Sequence, residues 1–100
     1  MSAHKVTRLK ERPLELPHTK SLCFGDRVVG IEGGLKVWLD SPITDERRAW
    51  FRKTGAPALE HLLDVDFQHA LVTHGDPVLD DGKQALQDAL RGEPWYHRPT

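Results

Sequence analysis

Between Ser21 and Pro42 the chain is cut by glycine and proline into apolar runs too short for helices, and this punctuation limits the fold more than anything else in the sequence. Ser21-Leu22-Cys23-Phe24 stops at Gly25-Asp26, Arg27-Val28-Val29-Gly30-Ile31 stops at Gly33-Gly34, and Leu35-Lys36-Val37-Trp38-Leu39-Asp40 stops at Ser41-Pro42. Short runs rich in β-branched and aromatic side chains, bounded by turn formers, predict three strands, the third paired with the second across Gly33-Gly34. Ahead of them, the stretch Pro13 to Leu16 is closed by Pro17. Prolines at both ends predict a short strand away from the centre of a sheet. Residues 1–12 are polar and basic and predict a flexible arm or a short edge strand.

The pattern changes at Thr44. Its hydroxyl is placed to cap a helix, Asp45 and Glu46 fall in the first turn where the dipole favours acids, and Arg47, Arg48, Arg52 and Lys53 come next. Gly55 and Pro57 predict a break, so the segment reads as two helices or one kinked helix. Trp50, Leu59, Leu62 and Leu63 form its sheet-facing side, and His61 lies among surface positions. Asp64 to Phe67 then leads to another strand, Gln68 to Thr73, which ends abruptly in His74-Gly75-Asp76-Pro77. Asp81 with Gln84 predicts a capping box, and Ala85, Leu86, Ala89 and Leu90 the buried stripe of a last helix ended by Gly92 and Pro94. Residues 92–100 read as a C-terminal tail whose Trp95 and Tyr96 are free to fold back on that helix. The element order is that of an α/β protein with short strands and about two to three helices.

At 100 residues the chain suits one domain, burying ~65% of the surface its unfolded form exposes. With 14 Lys plus Arg against 15 Asp plus Glu it presents no polyanion-binding surface, and nucleic acid is not an expected partner. No apolar run approaches the ~20 residues that cross a bilayer, and the first residues lack the apolar core of a signal peptide. The expected location is the cytoplasm, with no membrane partner. Cys23 is the single cysteine, so neither a disulfide nor a thiolate zinc site is available within one chain. Flanked by Leu22 and Phe24, it reads as a small buried hydrophobe.

Three polar residues stand at the ends of apolar runs: His18 after Leu16-Pro17, Asp26 after Phe24-Gly25, and His74 after Val72-Thr73. In α/β sheets ligands gather outside the carboxyl ends of strands, which makes these the candidates for one shared site. Glycines beside Asp26 and His74 allow close approach of backbone or ligand. Imidazole and carboxylate donors suit Zn²⁺, Fe or Mn with an activated water as nucleophile. Each position also has a simpler reading as a turn or loop residue.

Phe24-Gly25-Asp26 with Arg27-Val28-Val29, then Gly34-Leu35-Lys36-Val37-Trp38, a helical segment ending Leu62-Leu63-Asp64, and Thr73-His74-Gly75-Asp76-Pro77-Val78 ahead of an Ala-Leu-rich helix together resemble the C-terminal half of metallo-β-lactamase-fold hydrolases, over roughly residues 17 to 91. The resemblance implies half of an αββα sandwich in residues 13–91. It assigns Asp26 as the carboxylate bridging two metal ions and His74 as the last histidine ligand. His18, in Pro17-His18-Thr19, is similar to the family's Gly-His-Thr ligand loop, with proline in place of glycine. The family's first ligand group, H-x-H-x-D-H, has no counterpart before His18, where His4 is the only histidine. The resemblance therefore implies a truncated or split metal-dependent hydrolase with an incomplete site and reduced or no activity alone. Its intact relatives attack an ester, thioester, amide or phosphoester of a small-molecule substrate. The alternative is a non-catalytic α/β module that self-associates or binds a chain carrying the missing half, and a third reading is an unrelated α/β domain in which all three positions are turns.

Overall fold

The computed structural model describes residues 2–3 and 13–96; most of the expected N-terminal arm and the last four residues of the expected tail lie outside them. The chain is mixed α/β with two small sheets. The larger has strand order β1 (Ser2–Ala3), β2 (Leu14–Leu16), β3 (Ser21–Cys23) and β6 (His69–Leu71); the smaller is the hairpin of β4 (Val28–Ile31) and β5 (Gly34–Val37). β2 is antiparallel to β3, and β3 is parallel to β6.

The hairpin forms as the sequence predicts, with Val28 opposite Val37 and Ile31 opposite Gly34. Its turn sits one residue earlier than expected, on Glu32 (φ 50°) and Gly33 (φ 81°). Two consecutive left-handed residues match the right-handed twist of the flanking strands, as tight hairpins require. β2, by contrast, is not at the margin of its sheet: β1 pairs with it on one side and β3 on the other. Pro13 and Pro17 fall just outside Leu14–Leu16, so all three amides of the strand remain available to the ladders.

Helix α1 (Asp45–Trp50) starts at the expected cap, with the Arg47 amide donating to Thr44 Oγ1 at 3.2 Å. Of the two expectations, two helices or one kinked helix, the chain follows the uninterrupted path, with no break at Gly55. Phe51–Gly55 forms one wide π-turn, continued by α2 (Ala56–Leu59) and a 3₁₀ turn over Glu60–Asp64. Gly55 itself is right-handed helical (φ −65°, ψ −54°), and Pro57 falls in the first turn of α2, where its missing amide is not needed. A bulge of this kind carries a helical path past proline without ending it.

Helix α3 (Gly82–Arg91) starts without the expected capping box. Asp81 holds a left-handed conformation (φ 58°) and makes no side-chain cap bond, whereas a capping side chain needs an extended backbone to reach back to the N3 amide. Leu86, Ala89 and Leu90 are buried as the periodicity predicts. They join Leu22, Val28, Val37, Phe51, Leu59 and Leu62, the last six fully excluded from solvent, in one core. Phe51 rather than half-buried Trp50 fills its centre. The C-terminal segment folds onto β5, not onto the helix: the Trp95 amide donates to Val37 O and the Leu39 amide to Trp95 O, both at 2.8 Å. The Trp38 indole donates to the Tyr96 carbonyl. Among the described residues no helix is long and apolar enough to cross a membrane.

Candidate metal-binding pair

β3 and β6 run parallel, with Ser21 beside His69 and Cys23 beside Leu71, so the chain leaves both strands at the same end. The ladder continues one step further, the Phe24 amide donating to Leu71 O at 2.8 Å. Past that point Thr73 Oγ1 donates to Phe24 O at 3.3 Å, joining segments 49 residues apart in sequence. The result brings His74 Nε2 to 3.4 Å from Asp26 Oδ1. The imidazole is 28% exposed and the carboxylate 58%, so the pair sits at the surface with the ring the better sheltered of the two.

The loop carrying His74 is fixed at its base and at its tip. At the base, Ala70 and Val78 exchange both backbone hydrogen bonds, at 2.7 and 2.9 Å. At the tip, the Gly30 amide of β4 donates to His74 O at 3.0 Å, and Gly75 turns the chain with φ 85°. The two backbones touch here: a Cβ on Gly30 would lie 2.0 Å from Asp76 O, and one on Gly75 2.1 Å from Gly30 O. This contact ties the two sheets together beside the pair. An isolated glycine inside the β-branched run Val28 to Ile31 is the sequence signal of such a close approach, and it is the element of the site that sequence reasoning passed over.

Arg27, next to Asp26, packs its guanidinium over Trp38 at 5.1 Å and pairs with Asp40 at 3.6 Å. Its carbonyl accepts from the Trp38 amide at 2.7 Å, which fixes the path of the chain from Asp26 into β4.

His18 stands elsewhere. It lies in the exposed 3₁₀ turn Pro17–Thr19. Because β2 is antiparallel to β3, the end of β2 meets the start of β3, so His18 falls at the amino end of the β3–β6 pair. Among the described residues no group of three or more His, Cys, Asp or Glu side chains is arranged to hold a metal. A cleft of about 870 Å³ is also separate, lined by Ile43, Arg48, Trp95 and their neighbours but by neither Asp26 nor His74. Cys23 is half-buried rather than buried, and His61 is exposed with Nδ1 3.1 Å from Ala58 O. Compared with models of known families, with curated proteins and with solved structures, the chain matches none.

Proposed function

We propose that residues 17–91 are the C-terminal half of a metallo-β-lactamase-like metal-dependent hydrolase, with Asp26 and His74 as the metal donors this half contributes. The observation that carries the reading is the 3.4 Å approach of His74 Nε2 to Asp26 Oδ1 at the shared carboxyl end of two parallel strands. The donor set fits a metal. Two ligand atoms each ~2.1 Å from one Zn²⁺ at a tetrahedral angle are about 3.4 Å apart, and neutral imidazole with carboxylate suits Zn²⁺, Fe or Mn. Bound there, the ion would supply Lewis acidity for hydrolysis of an ester, thioester, amide or phosphoester. A catalytic zinc takes about three protein ligands and a structural one about four. A two-donor pair at an open surface therefore holds metal weakly and has reduced or no hydrolytic activity alone.

The test is equilibrium dialysis of the purified chain against zinc, with Asp26→Ala, His74→Ala and His18→Ala beside it. Zinc bound by the parent and by His18→Ala, and lost in the other two, is the expected result. No zinc on the parent overturns the reading.

A second reading, a module that lives by association, rests on the less buried face of the larger sheet. Leu14 stands opposite Cys23 and Cys23 beside Leu71, so the three share a face, and Leu16 lies at the same parity. Leu14 is 37% exposed and the others half-buried, whereas Leu22 and Ala70 on the opposite face are fully buried. A partly exposed apolar row of this kind favours a covering surface, either a second copy or a chain bearing the missing half. Cys23 and Leu71 end their strands, so such a cover would lie beside Asp26 and His74. Sedimentation across a range of concentrations should show self-association that Leu14→Lys abolishes; a monomer throughout leaves only the complementary chain as occupant.

A further inference from the structure

We propose that Gly30 is a positioning residue for His74: the backbone of β4, not the strand that leads into the histidine, sets the direction of its imidazole. β6 ends at Leu71, before the histidine is reached. The backbone contact made by His74 itself is the 3.0 Å bond from the Gly30 amide to its carbonyl. That bond closes a ring of links. Asp26 leads within a few residues into β4, Gly30 of β4 holds the His74 carbonyl, and the His74 ring returns to Asp26 at 3.4 Å. Both members of the pair are thus referred to one short strand. Only glycine fits the crossing, because the atoms that a Gly30 Cβ would meet at 2.0 to 3.0 Å all belong to the Asp76 backbone, and no rotamer change relieves a backbone clash.

The inference rests on the metal reading above only for its consequence at zinc; the orientation of the ring is a separate observable. A role limited to packing would be shared by Val29, the fully buried neighbour on the same strand. In the full chain, Asp26→Asn should displace the His74 ring resonances in a long-range ¹H–¹⁵N spectrum, reporting the contact between them. Gly30→Ala is expected to abolish that displacement and to lower zinc affinity about tenfold, the usual size of an outer-shell effect. Val29→Ala should lower the melting temperature and keep both. If Gly30→Ala fails to fold, glycolate at position 30 removes the amide donor without adding a Cβ, and the displacement should again shrink. A displacement in the Gly30 variants equal to that in Val29→Ala overturns the proposal. A parent that binds no zinc overturns the metal reading and leaves the ring resonances to decide on Gly30.

Discussion

At the amino end of the β3–β6 pair the Thr19 and Ser21 hydroxyls bond within one loop and the ionic side chains stay mostly in solvent; at the carboxyl end an imidazole and a carboxylate from distant segments are drawn together. Lys20 O accepts from both the Gln68 and His69 amides, at 2.7 and 3.0 Å. Around it His18 is exposed, and Lys20 and Asp66 make a 3.9 Å ion pair with side chains 60% and 85% exposed. At the other end the Thr73 hydroxyl and the Gly30 amide hold the chain beyond the last ladder bond. Parallel pairing alone gathers the residues just past the two strands at one end. Both ends have contacts past the ladder, but at the amino end the Thr19 and Ser21 hydroxyls bond within one loop and the Gly82 amide holds Gln68 O, whereas at the carboxyl end the Thr73 hydroxyl bonds the exit of one strand directly to that of the other.

The largest expected effect falls on both ends together. Leu22 lies at the middle of β3 with no solvent exposure, and Leu22→Ala should cost about 2–5 kcal/mol in urea unfolding while weakening zinc binding as well. Full zinc affinity in this variant would show that the carboxyl end does not depend on the strands beneath it. The contrast itself is sharpened by two smaller substitutions measured the same way. Thr73→Val removes the bond to Phe24 O and should cost about 1 kcal/mol; Asp66→Asn removes the exposed ion pair and should change stability by less than about 0.5 kcal/mol. Equal costs for the two would break the distinction between the ends.

The elements that were legible in sequence are those decided locally. Gly25-Asp26 and, to within one residue, Gly33-Gly34 mark the strand ends, and Thr44 carries its cap in its own side chain. Asp81 had the right residue type for a cap but not the backbone: its left-handed conformation keeps the carboxylate from the first turn, and only its carbonyl joins the helix, accepting the Ala85 amide at 3.0 Å. Gly55 and Pro57 signalled a break that a widened turn absorbs. For the site, Asp26 and His74 were readable as strand-end residues, each beside a glycine. His18 had the same local signature and stands at the opposite end, because the direction of β2 relative to β3 is a property of the sheet and not of any short stretch. Gly30 bears no functional atom on a side chain, so its contribution becomes visible only when the two backbones are seen against each other.

The return of Trp95 to β5 has a consequence for how the molecule comes into being. During synthesis the outer edge of β5 emerges long before the residue that pairs with it, and the helical segment, β6 and α3 are all made in between. Until then the Val37 carbonyl and the Leu39 amide, which Trp95 will take up, are open to any neighbouring strand, and loop closure over so many residues slows the final pairing. The bridge between Trp38 and Trp95 therefore closes only after β6 and α3 have been made, and a nascent chain stalled ahead of Trp95 should be prone to pairing with other chains just past the end of β5.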